Sequence, residues 1–266
     1  MSKKVAFFDI DGTMVNVPNG LLHPTPETVR VLNEFKKQGN YIVVATARGI
    51  VPDTIKDINF DGYIYNDGHY IIFDNDILID DLFSCDEVQM QLDAYSKFDG
   101  RFMFSGHADT WNSFLDDPLV IDHREMFSGT KERPTGVIEE FKANDVQAVA
   151  CCVLFDSVEK LDNCFNELKE TFTMVPYRTG LIRMDVYRKG FTKGTACDYL
   201  YKKLGIEKEN SYAFGDGIND KEMLELVGNG IAMGNGLEEI KKIADDVTDT
   251  VDNDGIAKAF KKYFNI

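Results

Sequence analysis

Two carboxylates stand one residue apart in Asp9-Ile10-Asp11-Gly12-Thr13, directly after the apolar run Val5-Ala6-Phe7-Phe8. The run reads as a buried strand, and Gly12 as the turn into which it empties. An aspartate attacks phosphorus well once a divalent cation offsets the repulsion between carboxylate and phosphate. The acid two positions on can then move the proton. It gives one to the departing alkoxide and later takes one from water, which is worth roughly 10²–10⁴-fold in rate. Thr13 offers a hydroxyl that can tie the turn together. Taken alone, an Asp-x-Asp-Gly run is more readily a solvated turn closing a strand.

Three further polar clusters reverse that preference. Thr46 follows the apolar run Tyr41-Ile42-Val43-Val44-Ala45, Lys193 starts a helical stretch, and Gly215-Asp216-Gly217-Ile218-Asn219-Asp220 follows Ser211-Tyr212-Ala213-Phe214. Thr46 can donate its hydroxyl to a phosphoryl oxygen, Lys193 can hold a fixed positive charge against it, and Asn219 can add an amide donor. Donors aimed at developing charge commonly contribute most to catalysis. Asp216 is a hard oxygen ligand of the kind Mg²⁺ takes, as is Asp9. Asp220 can hold Lys193 in place and balance its charge. Singly these are a strand-end hydroxyl, a solvated lysine and a turn with its N-cap. Their order, each at a strand exit or helix start, favours the joint reading.

The elements that would position them follow from periodicity. Thr25-Pro26-Glu27 reads as N-cap, N1 proline and acidic first turn, and Val29, Leu32 and Phe35 form an apolar stripe ending near Gly39. Strand, helix and fully apolar strand at this spacing imply a parallel βαβ unit. From about residue 80 the pattern changes. Helices are predicted near residues 86–97, 135–142 and 157–170, alternating with strands at 101–104, 148–155, 173–177 and 181–187, which suits a separate α+β module with an antiparallel sheet. From Thr192 the first style resumes, with a helix to Leu204, a strand at 211–214, a helix over 218–227 and a terminal helix after Asp254. The chain thus reads as an α/β domain, residues 1–81 and 188–266, interrupted by an α+β domain over 82–187. In an open parallel sheet the carboxyl ends of the strands gather at one edge, where ligands bind.

Lys and Arg number 29 against 45 Asp and Glu in 266 residues, a formal charge of −16. That disfavours nucleic acid and anionic membrane surfaces as partners. No stretch approaches a membrane-spanning length, and the Met-Ser-Lys-Lys start leads directly into the first strand, so a cytoplasmic location is expected. Cys85, Cys151, Cys152, Cys164 and Cys197 lack a Cys-x-x-Cys spacing and read as buried free thiols of a reducing compartment. Of the insert's polar residues, His107, Arg178, Arg183 and Tyr187 could meet a substrate, although each reads more readily as an exposed or strand-paired side chain.

On these motifs the chain resembles the haloacid dehalogenase superfamily of phosphatases, in its Cof-type branch. The matching segments are Asp9 to Thr13, Ala45-Thr46-Ala47-Arg48, Lys193-Gly194, Gly215 to Asp220, Ala232-Met233-Gly234-Asn235 and Asp252 to Ala257. The resemblance covers essentially the whole chain. It implies a Rossmann-like parallel-sheet core with an inserted α+β cap, and Mg²⁺-dependent hydrolysis through an aspartyl-phosphate. Asp9 and Asp216 would bind Mg²⁺ by side chain and Asp11 by its backbone carbonyl. The Ile10 amide, Thr46, Ala47, Lys193 and Asn219 would hold phosphate, with Asp220 in support. The expected substrates are small phosphorylated metabolites, sugar phosphates foremost, with the cap selecting the leaving group. A phosphomutase shares all four motifs and is the nearest alternative. A non-catalytic phosphoacceptor or binding module is the alternative of another class, against which the complete acid/base and lysine set argues. Two departures stand out: Ala47 replaces the family's usual glycine, and Asn66-Asp67-Gly68 stands where Asn-Gly and a small residue are usual.

Overall fold

The computed structural model describes residues 2–266. They form two compact units, one running to Ile79 and resuming over Phe191–Ile266, the other spanning Asp80–Gly190. The first unit opens with β1 (Val5–Phe8), α1 (Pro26–Lys37), β2 (Tyr41–Ala45), β3 (Gly62–Tyr65), β4 (Tyr70–Phe73) and β5 (Asp76–Asp80), whose last residue already belongs to the second. The second contains α2 (Cys85–Lys97), β6 (Arg101–Ser105), β7 (Thr110–Trp111), α3 (Pro118–Ser128), β8 (Val137–Ile138), β9 (Ala150–Leu154), α4 (Val158–Leu168), β10 (Phe172–Tyr177) and β11 (Arg183–Arg188). The first then resumes with α5 (Lys193–Lys203), β12 (Ser211–Gly215), α6 (Lys221–Leu226), β13 (Asn229–Ala232), α7 (Glu238–Ile243), β14 (Asp246–Val247) and α8 (Gly255–Phe264).

Among the described residues the first unit's sheet has the order β14-β13-β12-β1-β2-β3-β4-β5. Neighbours from β14 through β3 pair in parallel, and β4 turns back antiparallel on β3. All four residues of β1 are fully buried. Alternation sends Ala6 and Phe8, with Ile42 and Val44, into one apolar cluster with Val31, Leu32, Phe35 and Phe260. It sends Val5 and Phe7, with Val43 and Ala45, into another with Ala196, Leu200 and Met223. Helices therefore cover both faces, which is why these strands are apolar throughout. Helix α1 starts where Thr25 Oγ1 accepts from the Thr28 amide at 3.1 Å, with Pro26 in its first turn.

Register does the positioning. Phe8 pairs with Val44 on one side and Phe214 on the other, so the exits of β1, β2 and β12 lie side by side at one sheet edge.

The second unit's sheet has the order β10-β11-β9-β6-β7-β8 among the described residues, antiparallel except between β7 and β8. Tyr95, Phe104, Val153, Phe155, Leu161, Cys164 and Leu168 share its core. Three expectations need correction. The helix predicted over 135–142 is absent; Gly136 has a left-handed φ of 78° and the stretch forms β8 and a turn. The helix predicted over 218–227 opens as a 3-10 turn at Ile218–Asp220 and continues as α6. The cysteines are all free, but Cys85 is exposed at the start of α2 and Cys152 half-buried. Among the described residues no helix is long and apolar enough to cross a membrane.

Candidate active site

Asp9 leaves β1 with its amide bonded to the Phe214 carbonyl at 3.0 Å, which brings it beside the exit of β12. Lys193 is the first residue of α5, capped by Thr192, whose hydroxyl accepts from the Thr195 amide at 3.1 Å. A cation at a helix N-terminus is opposed by the macrodipole, so its place there needs another cause. That cause is two carboxylates: Nζ lies 2.7 Å from Asp9 Oδ1 and 2.7 Å from Asp220 Oδ1, with the lysine side chain 0% exposed.

Asp220 uses both of its oxygens. Its Oδ2 accepts from the Asp216 and Gly217 amides, each at 2.9 Å, which shapes the turn after β12. Asp216 in turn accepts from the Thr13 hydroxyl at 3.0 Å. Gly12 makes that approach possible: its φ is 89°, and a Cβ there would lie 2.2 Å from Asp216 Oδ2. Oxygens of Asp9, Asp216 and Asp220 lie within 4.8 Å of one another.

Three carboxylates around one ammonium leave the cluster rich in negative charge, and the ionisation equilibria reflect it. Burial, and then Asp220, push Asp9 well above the usual carboxylate range against the pull of Lys193. Burial and Asp220 raise Asp216 to about 6, opposed by the Thr13 hydroxyl. Burial works against the Lys193 ammonium, but Asp220 and Asp9, with Asp67 behind them, hold its pKa well above the ordinary value. A hard divalent cation suits this donor set, since it would supply the missing positive charge.

Asp11 is exposed, and Arg48 grips it in a two-point fork with both N···O distances at 2.7 Å. That hydrogen bonding to Asp11 raises the guanidinium's pKa. Thr46 is buried at the exit of β2; its hydroxyl accepts from the Arg48 amide at 3.1 Å and keeps its own proton to donate. Ala47 is exposed beside it. Ile10 packs its side chain into the core, and its carbonyl accepts from the Thr13, Met14 and Val15 amides. Asn219 is exposed on the turn after β12, its Nδ2 donating to Asp67 Oδ1 at 3.4 Å. The structure thus joins Asp9, Lys193, Asp216 and Asp220 directly, and sets Asp11, Thr46 and Asn219 on the neighbouring loops.

Sequence reasoning gave no role to Arg48, Asp67 or Asn235. Asn235 Nδ2 donates to the Gly12 carbonyl at 2.7 Å while its Oδ1 accepts from the Val251 amide at 2.9 Å, tying the first turn to a late loop. Arg48 and Asn235 lie inside recognised motifs, which was the available signal; their partners are distant in sequence. In the second unit, His107 pairs with Asp80, Arg178 with Asp162, and Arg183 with Asp185. Arg183 also lies 3.7 Å from the Tyr177 ring centroid, and Tyr187 is buried on β11.

A family model of haloacid dehalogenase-like hydrolases matches residues 6–260. YkrA of Bacillus subtilis strain 168, whose name marks it as a candidate phosphatase, is 29% identical over 98% of each chain. Among solved structures, a hypothetical protein of Geobacillus kaustophilus HTA426 superposes with a TM-score of 0.86 at 28% identity, covering 99% of this chain and 100% of that one. The subclass IIB sugar phosphatase BT4131 superposes with a TM-score of 0.81 at 26% identity, with the same coverage.

Proposed function

Because the chain belongs to the haloacid dehalogenase-like hydrolases, as a phosphatase of their Cof-type branch, we propose that it hydrolyses small phosphorylated metabolites, sugar phosphates foremost, through an aspartyl-phosphate on Asp9. The observation that carries this reading is the buried Asp9–Lys193–Asp220 chain with Asp216 beside it. Asp9 has one oxygen on Lys193 and the other for attack. That oxygen bonds to phosphorus as the P–O bond to the leaving group breaks, and Asp11 gives the departing oxygen its proton. Water then attacks phosphorus, Asp11 takes the water's proton, and the Asp9–phosphorus bond breaks to release phosphate. Arg48 holds Asp11 in its two-point fork, which must open for Asp11 to reach the departing oxygen.

Phosphatases of this superfamily generally use a divalent metal. We assign Mg²⁺ to Asp9 and Asp216 by side chain and to Asp11 by its carbonyl, where it would offset charge between nucleophile and phosphate. Asp220 is left out of that set because its three hydrogen bonds hold Lys193 and shape the turn after β12. Lys193, whose ammonium has a third hydrogen to give, joins the Thr46 hydroxyl, the Ile10 and Ala47 backbone and Asn219 in holding the phosphoryl oxygens. Residues 82–187 are assigned the cap's role of selecting the leaving group. The likeness to a sugar phosphatase supports the substrate class.

The test is phosphate release from p-nitrophenyl phosphate and a phosphometabolite panel, with Mg²⁺ and with EDTA. Mg²⁺-dependent release, strongest on sugar phosphates and without need of a bisphosphate activator, is expected. Full activity in EDTA would remove the metal, and absence of release from every ester would remove the reading.

A further inference from the structure

The loop Asn66-Asp67-Gly68, after β3, carries a carboxylate at its middle position. All three residues have positive φ, at 49°, 51° and 111°. At Gly68 a Cβ would lie 2.6 Å from the Thr192 carbonyl oxygen, so glycine is required. Asp67 holds its left-handed conformation at a cost that glycine would avoid. The loop's backbone is stitched to the β2 exit, with the Asn66 amide donating to Arg48 O and the Asp67 amide to Thr46 O, both at 3.1 Å. Neither bond uses the Asp67 side chain, and glycine would serve them better. Its side chain accepts from Asn219 Nδ2 at 3.4 Å and adds negative charge near the Lys193 ammonium.

A carboxylate accepts and cannot donate, so it fixes which end of the Asn219 amide faces it. We propose that Asp67 is a positioning residue, orienting the Asn219 amide so that its second Nδ2 hydrogen is presented to the phosphoryl oxygens of substrate and product. This rests on the reading of Asn219 as a phosphate donor. The negative charge near a dianionic ligand is the disadvantage of the arrangement, and the fixed amide is the gain, so the two effects pull binding in opposite directions and can be separated.

The experiment compares Asp67→Gly, Asp67→Asn and Asn219→Ala with the unmodified protein, using p-nitrophenyl phosphate with Mg²⁺ and inorganic phosphate as competitor. For Asp67→Gly, KM and the phosphate inhibition constant should rise together by about tenfold, the scale of a hydrogen bond to a charged group. Its kcat should stay within about twofold, the mark of lost uniform binding. Its melting temperature should equal or exceed that of the unmodified protein, because the left-handed strain is gone. Asp67→Asn keeps an oxygen acceptor but can also donate, so it should recover only part of the loss. In an Asn219→Ala background, Asp67→Gly should have no further effect; a cycle with Asp67→Ser reads the same coupling should the glycine variant fold poorly. Unchanged or tighter phosphate binding in Asp67→Gly, or an equal effect in both backgrounds, overturns the proposal. No turnover by the unmodified protein would instead overturn the phosphatase mechanism on which it rests.

Discussion

Removing the Lys193 ammonium would leave Asp9 and Asp220 facing each other in a buried pocket with no countercharge. Lys193→Met should therefore destabilise the protein by about 3–5 kcal/mol, the scale found when one partner of a buried pair is deleted. Denaturant titration reads this, and an unshifted midpoint would contradict the charge balance described. Asp9→Asn keeps the shape of the group but not its nucleophilicity. Hydrolysis of p-nitrophenyl phosphate should fall by at least about 10³-fold with an unchanged circular dichroism spectrum, and retained turnover would remove Asp9 from the nucleophile's role. At this scale the sequence singled out Asp9, Lys193 and Asp216 because polar types recur at two strand exits and a helix start, and the structure brings the three side chains together. Arg48 was not legible, since its role depends on Asp11, which lies 37 positions away and meets it only through the β1–β2 register. Asp67 was visible only as an odd residue in a loop.

Local signals decided the helices that had both a cap and an apolar stripe. Thr25→Ala in α1 should cost about 1 kcal/mol of stability without changing KM, because the hydroxyl caps Thr28 and touches no site residue. Asp117-Pro118 carries the same start signal, and α3 follows it, with Asp117 accepting from the Leu119 amide at 2.9 Å. It escaped sequence reading because Val120 is its only buried residue among those described, so no stripe marks it. On the same helix, His123 lies 3.6 Å from Cys152 Sγ and against the Phe127 ring, with Arg183 and Asp185 nearby. Burial, and then Arg183, lower its pKa below 6.5. A basic group depressed in the folded state binds fewer protons than it does unfolded, so its contribution is present above 6.5 and lost as pH falls through that range. The denaturation midpoint should drop between about pH 7 and pH 5, and less steeply in His123→Gln. Identical slopes in the two proteins would show that His123 carries none of it.

For the whole chain, the interrupted pattern of one α/β unit resumed after an α+β insert was readable because each stretch has its own grammar: continuous apolar strands covered on both faces in one, short alternating elements in the other. The strands β3 to β5, β13 and β14 were harder, being short and partly exposed, with periodicity too brief to register. Net charge of −16 makes an anionic substrate depend on local positive groups, and Lys193 with a bound cation is where the account supplies them. Mg²⁺ should therefore raise the melting temperature as well as restore activity after EDTA, and activity without any thermal shift over the same titration would place the metal elsewhere. The proposed mechanism passes phosphorus through Asp9 on its way to water. Its most direct test is the stereochemical course at phosphorus, followed with an isotopically chiral phosphate or phosphorothioate monoester. Two in-line displacements through Asp9 predict overall retention of configuration, and inversion, the signature of a single direct attack by water, would contradict the account.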